Sequence, residues 1–438
     1  MRIIENPALK YTVTVVRAGL LIPLIVLMIS SCSHLLVKLD NARDTLAVGE
    51  ELTARQIATL NNRFQSRVSN LQKEYGFPGI TAAYALPQGY VSGFAAGMAD
   101  KESGVVMQPH MLMLSASIGK MYVGAVISQL VNEGVLNLND PLSKWLGHKS
   151  WYQRLPNAES IRIAHLASHT AGLLDHVYAD DFGEAVKLAE ESEQTVSPEL
   201  LISLILDKEP LFYPGEGYHY TDTGFLLLGL VIEEATQEEY YRVLQSRLLK
   251  PLQLSETLLA NRRDIPNITQ AYTPGDNPFG LPHLVMENGM MTHDPAIEWT
   301  GGGLVSSSPD LVRWTSALFT TDIAGSDYGE RILKNATSRL TGIEDEGQGY
   351  GLGVAVLDTE YGCMFFHTGW TPSYMSNASY FSSTGLSMSF MVNTDDSRYM
   401  SGEYLKVIRH ELAEVLHQEF NSTFGQAKKS TVSQQGCR

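Results

Sequence analysis

The chain has 438 residues, 44 % of them hydrophobic and 18 % charged, a balance that allows a large buried core and argues against a disordered protein. Its formal net charge of −16 argues against nucleic acid as a partner, because neutralising phosphates takes concentrated Lys and Arg. No internal repeat of fixed period and no low-complexity tract divides it.

Arg2, Lys10 and Arg17 precede an apolar segment, Ala18 to Ile29, which is shorter than the roughly 20 residues of a membrane span and suits a signal-peptide core. It ends in Ile29-Ser30-Ser31-Cys32, and small residues before a cysteine resemble the bacterial lipobox, whose cysteine is lipidated and becomes the first mature residue. The expectation is a lipoprotein signal peptide over 1–31, lipidation at Cys32, a tether over 32–52 and a domain over 53–420 held outside the cytoplasm. Ser33 in place of Asp after the cysteine resembles outer-membrane sorting, which puts the protein on the periplasmic face of that membrane in the bacterial cell envelope.

A helix is predicted from about Thr53 to Tyr75, then a hairpin from Gly79–Leu86 and Tyr90–Ala96 around Pro87-Gln88-Gly89. Met111 to Leu114 lead to a cap at Ser115, and Met121, Val126, Ile127, Leu130 and Val131 recur at helical spacing until Gly134. Ser117 falls in the first turn of that helix, with Lys120 one turn further on the same face. Unpaired N–H groups and the positive end of the helix dipole there favour an oxyanion, and a neighbouring base can make the serine nucleophilic. A mainly helical stretch follows from Asp140 to about Leu254. Within it, the turn-forming Pro214-Gly215-Glu216-Gly217 leads to Tyr220-Thr221-Asp222, and Phe225 to Ile232 read as a buried helix. Gly351–Leu357, Cys363–His367, Tyr374–Phe381 and Leu386–Val392 read as strands, and Glu403 to Phe420 as a helix with Leu405, Ile408, Leu412, Val415 and Leu416 on one stripe. Residues 421–438 read as an unstructured tail. Strands at both ends with helices between predict an α+β fold, its sheet completed by distant segments around an inserted helical region.

Ser117-x-x-Lys120, then Tyr220-Thr221-Asp222, then His367-Thr368-Gly369 resemble the three motifs of the serine β-lactamase and penicillin-binding protein superfamily. The resemblance extends to Asn132–Pro141, to Ile161–Leu173 with its His165-Leu166-Ala167-Ser168-His169, and to Gly301-Gly302-Gly303-Leu304-Val305-Ser306, which is similar to the class C β-lactamase branch with its DD-peptidases and esterases. It implies the β-lactamase/transpeptidase-like fold with an antiparallel sheet, and catalysis by Ser117, with Lys120 or Tyr220 as base. It also implies an oxyanion hole from the backbone N–H groups of Ser117 and Trp370, substrate binding by Asp222, His367, Thr368 and Gly369, and no metal or organic cofactor. The substrate would be a small molecule or peptide with an acyl carbonyl.

Two positions depart from the β-lactamase pattern. Asp222 stands where Asn is usual, so an amide N–H donor becomes an acceptor. His367 stands where Lys is usual, which weakens the pull on a substrate carboxylate. A penicillin-binding or DD-peptidase-like role is expected first, an esterase on small acyl esters next, and a catalytically weak cell-wall peptide-binding lipoprotein third. His165, His169 and His176 are read as structural rather than as metal ligands, Gly301–Gly303 as a tight turn beside the site, and Asp395 and Asp396 as a solvated turn. Cys363 and Cys437 are read as two free thiols, although an exported protein would permit a bridge.

Overall fold

The computed structural model describes residues 53–191, 196–273, 282–337, 349–395, 403–424 and Cys437; the expected signal peptide, the tether and Cys32 lie outside them. Among the described residues no helix is long and apolar enough to cross a membrane.

Helix α1 (Ala54–Tyr75) starts at a capping box in which Thr53 and Gln56 satisfy each other's backbone N–H, and Gly76 ends it in the left-handed conformation. Its Leu60, Phe64, Val68 and Leu71 recur every three or four residues and form one buried stripe. Strands β1 (Gly79–Ala85), β2 (Val91–Asp100) and β3 (Val105–Val106) follow, then the short β4 (Met113–Leu114). A 3₁₀ turn over Ala116–Ile118 opens α2 (Gly119–Asn132). The middle of the chain is a set of short helices leading to α3 (Asp222–Thr236). Strands β5 (Leu258–Leu259), β6 (Met286–Glu287) and β7 (Met290–Met291) precede α4 (Trp299–Gly302), β8 (Leu304–Ser306) and α5 (Ser308–Thr320). The C-terminal part contains β9 (Gly349–Gly351), β10 (Val354–Thr359), β11 (Gly362–Thr371), β12 (Tyr374–Phe381), β13 (Leu386–Val392) and α6 (Glu403–Phe424).

Eight strands form one antiparallel sheet in the order β3-β2-β1-β13-β12-β11-β10-β9, so the first hairpin is joined to the last strands through β1 and β13. The predicted sheet completed by distant segments is therefore present. All seven residues of β1 are buried, because both faces of the sheet are covered. Ile80, Ala82 and Tyr84 pack with α1 and α6, whereas Ala83 and Ala85 point the other way onto Val312 of α5. Small side chains on that second face let α5 approach, and Thr81 Oγ1 meets Ser308 Oγ at 2.7 Å. The larger core lies beyond, where α2 and α3 are buried on nearly every side.

Three expectations need correction. Cys363 and Cys437 are joined in a disulfide with Cα atoms 5.5 Å apart, and the Cys437 N–H donates to Asp358 Oδ1 at 3.0 Å, so they are not free thiols. Asp395 is buried, with 1 % of its surface exposed, and not part of a solvated turn; Asp396 lies outside the described residues. The last helix continues to Phe424, past the expected end at Phe420.

Candidate active site

The stretch Leu112–Lys120 is buried except at Ser117, which is partly exposed. The local backbone explains this. Ser115 does not cap the helix with its side chain; its Oγ donates to Leu304 O of β8 at 3.0 Å, and its carbonyl accepts from Ser376 Oγ of β12 at 2.7 Å. With Ser115 held on both sides, Ala116 takes a positive φ of 50° that costs a non-glycine residue energy. Ser117 is turned outward by that bend. Strand β11 runs beside the bend: a Cβ on Gly369 would collide with the Ser115 carbonyl oxygen, so only glycine allows the approach. Trp370 is the next residue along the strand, which sets its backbone at the edge of the Ser117 turn.

Lys120 is fully buried. Its Nζ donates to Ser117 Oγ at 3.0 Å and to Gly301 O at 2.6 Å, and it is ion-paired with Asp222. Three acceptors match the three N–H bonds of an ammonium. Gly301 belongs to α4, as expected of a turn beside the site, and the close packing of its neighbour continues the theme: a Cβ on Gly302 would lie 2.6 Å from the Ala116 carbonyl carbon. The Tyr220 ring sits 5.0 Å from Lys120 Nζ. Burial and the Asp222 charge push the Tyr220 phenol well above its ordinary range, and a hydrogen bond with Ser117 offsets this in part. Ser117, Lys120, Tyr220 and Asp222 are thus brought together from the 3₁₀ turn before α2, α2 itself, the loop before α3 and the start of α3.

His367 is placed differently from its expected role. It is 4 % exposed, and both ring nitrogens are engaged: Nε2 with Tyr350 Oη at 2.9 Å and Nδ1 with its neighbour's carbonyl, Thr368 O, at 2.5 Å. A carbonyl only accepts, so Nδ1 carries the proton and Nε2 accepts from Tyr350. Burial and the Lys120 charge push His367 down to about 3, which makes it a neutral wall and not a cation for substrate. Half-buried Thr368 lies beside it.

Several neighbours were not legible as site residues. His169 packs its ring 4.3 Å from Tyr220 and 4.5 Å from Tyr350, and its Nδ1 accepts from the Thr221 N–H at 3.2 Å, so it fixes the Tyr220 segment. His176 Nδ1 pairs with Thr223 Oγ1 at 3.0 Å and His165 Nδ1 accepts from the Arg162 N–H at 3.2 Å, which separates the three histidines among three different partners. Asp175 and Glu298 add two carboxyl groups around the Lys120–Asp222 pair. Burial, reinforced by the Asp222 charge, raises Asp175 to about 7 and Glu298 to about 8. Glu298 carries no motif signal, being separated in sequence from the rest, and only its position under Gly302 brings it in.

A serine in a strained, outward turn, with a buried lysine on its oxygen and a tyrosine ring beside that lysine, is an arrangement suited to acyl transfer, because a hydroxyl nucleophile needs a neighbouring proton acceptor. The family model described as Beta-lactamase matches residues 64–409, and the chain belongs to that family of hydrolases. It is 24 % identical over 328 residues to penicillin-binding protein 4* of Bacillus subtilis, covering 72 % of this chain and 68 % of that one. A putative D-alanyl-D-alanine carboxypeptidase of Salmonella typhi is 26 % identical over 338 residues, covering 70 % and 77 %. Among solved structures, D-amino acid amidase of Ochrobactrum anthropi SV3 with D-phenylalanine aligns with a TM-score of 0.70 at 21 % identity, covering 83 % of this chain and 99 % of that one. The fold is accordingly the α+β β-lactamase-like fold.

Proposed function

We propose that the protein is an extracytoplasmic, lipid-anchored serine hydrolase of the penicillin-binding and DD-peptidase-like kind, working through an acyl-enzyme on Ser117. The observation that carries this reading is the contact of buried Lys120 with Ser117 Oγ at 3.0 Å, in a turn that leaves Ser117 partly exposed. The names of the two sequence relatives, a penicillin-binding protein and a putative carboxypeptidase, support the substrate class.

In the proposed reaction Ser117 Oγ bonds to the substrate carbonyl carbon, and the seryl proton moves to Tyr220 Oη as the phenolic proton of Tyr220 passes to the leaving group. Tyr220 stays neutral overall. That relay suits a phenol whose burial makes a standing phenolate costly. Lys120 orients Oγ and steadies the charge that develops on it, and the N–H groups of Ser117 and Trp370 receive the carbonyl oxyanion. Water then attacks the ester, returning a proton along the same path.

Ser117→Ala should abolish the covalent adduct that an activated ester or a penicillin leaves on the protein, with the fold retained, because one oxygen is lost without a large cavity. Intact-mass measurement decides: an adduct on the variant would exclude Ser117 as nucleophile. Cys32→Ser should block lipidation and either stall processing or release a soluble form, and a processed variant that still partitions into detergent would overturn the lipid anchor. A second reading, an esterase on small acyl esters, is favoured by Asp222, whose carboxylate accepts but cannot donate to an acyl amide carbonyl.

A further inference from the structure

Gly369 brings two opposed properties to the Ser117 turn. Its missing Cβ lets β11 approach the Ser115 carbonyl, yet glycine has the greatest backbone freedom of any residue and stands one position before Trp370. The sheet braces this stretch from one side. Among the described residues β10 pairs with β11 only from Gly362 to Phe366, whereas β12 continues alongside as far as Thr371. Where the ladder with β10 stops, a side-chain relay begins. Tyr350 of β9 is buried, its Oη lies 2.9 Å from His367 Nε2, and His367 Nδ1 lies 2.5 Å from Thr368 O. The direction of the relay is fixed: a carbonyl only accepts, so Nδ1 donates to Thr368 and the Tyr350 hydroxyl donates to Nε2. The Tyr350 ring also lies 4.5 Å from the His169 ring and stands edge-on to Tyr220, so it meets the segments of both the second and the third motif.

Resting on the serine-hydrolase reading above, we propose that Tyr350 is a positioning residue for acylation: through His367 it fixes the Thr368 carbonyl, and with it the backbone that carries Gly369 and Trp370 past the Ser117 turn. A peptide unit is planar, so holding the Thr368 C=O also sets the Gly369 N–H and Cα. The next N–H along is that of Trp370, the proposed oxyanion donor. A donor of this kind works only if it is already aimed when charge develops on the carbonyl oxygen, and a small displacement costs rate more than it costs binding. Burial holds the Tyr350 phenol well above its ordinary range, so the proton it shares with His367 stays on the tyrosine. Tyr350 acts through His367 and needs no contact with substrate.

The test is Tyr350→Phe in the full-length protein, with two readouts near neutral pH. The first is acylation of Ser117 by a p-nitrophenyl ester, whose leaving group needs no proton and so reports on the oxyanion side of the reaction. The maximal acylation rate should fall by about 10- to 100-fold, the order expected when a reacting geometry is loosened, with the half-saturating ester concentration little changed. The second is the ¹⁵N spectrum of His367, assigned by its absence from His367→Gln. Wild type should show the Nδ1–H tautomer, and in Tyr350→Phe the Nε2 signal should move downfield as its hydrogen bond is lost. A variant that acylates at the wild-type rate, or whose loss lies in the half-saturating concentration alone, would overturn the positioning role and leave the hydrolase reading standing. A wild-type His367 protonated on Nε2 would overturn the relay, and that measurement decides by itself should the variant not fold. If the ester leaves no adduct on wild-type Ser117, the hydrolase reading fails and the inference fails with it.

Discussion

Tyr220 is where residue chemistry is most exposed to test. Its ring lies between Lys120 and His169, and its phenol is held neutral by burial. If it relays the proton to the leaving group, Tyr220→Phe should lower amide hydrolysis by roughly 10²- to 10⁴-fold, the usual contribution of a positioned acid–base group. Esters of a p-nitrophenol, whose leaving group needs no proton, should lose distinctly less. Equal losses for both substrate types, measured as acylation rates, would mean that Tyr220 only shapes the pocket. The residues around it show how much of a site is not motif: His169 was visible as one of three spaced histidines, yet its φ of 57° and its bond from Thr221 emerge only in three dimensions.

At the scale of elements, strand β11 links the disulfide to the Ala116–Ser117 bend. Cys363 lies near one end of β11, and Gly369 and Trp370 lie near the other. The strand pattern of Cys363–His367 was readable from its apolar run, but the strand is ten residues long, and its extension through His367-Thr368-Gly369-Trp370 depends on register with β12, Gly369 opposite Ser376. Ser376 in turn bonds Ser115. Gly369→Ala should therefore push β11 off the Ala116 bend. The expected results are a stability loss of about 1–3 kcal/mol, as for other overpacked positions, and a larger fractional loss of Ser117 acylation. Denaturant melts and acylation rates on the same preparation check both, and a variant matching wild type in the two would refute the close-packing account. The disulfide escaped the sequence because its cysteines are 74 residues apart, and spacing alone does not say which distant segments meet.

The whole molecule buries titratable groups of both kinds, and their linkage gives a stability profile. His176, His293 and His417 are lowered by burial to about 4 and His367 to about 3. An unfolded histidine titrates near about 6.5, so between these values the unfolded chain binds more protons and stability rises with pH. Asp175 and Glu298 act in the opposite direction. Their folded values are raised to about 7 and about 8, so from about pH 4 upward the native state holds protons that the unfolded chain has lost, and stability falls with pH until they too ionise. The four histidines outnumber the two acids below about 6.5, and above it only the acids still contribute. Melting temperature should climb from about pH 4 to a maximum near 6.5 and decline toward about pH 8. A profile still rising between pH 7 and 8 would show that Asp175 and Glu298 are already ionised in the folded protein.

Local order in the chain was sufficient for the elements and for the three motifs. Helical periodicity, turn residues and the Ser117–Lys120 spacing are short-range properties, set by the pitch of a helix and the pleat of a strand. The acid content of the site was not short-range. Asp175, Asp222 and Glu298 come from separate parts of the sequence, and packing α4 against α2 and α3 brings them around one lysine. The same packing buries His367 and occupies both its nitrogens, which a His-Thr-Gly tripeptide does not reveal. Which residues are catalytic candidates follows from sequence spacing. Which charge the site shows its substrate is decided by tertiary structure, because burial and pairing determine which ionisable side chains keep their charge.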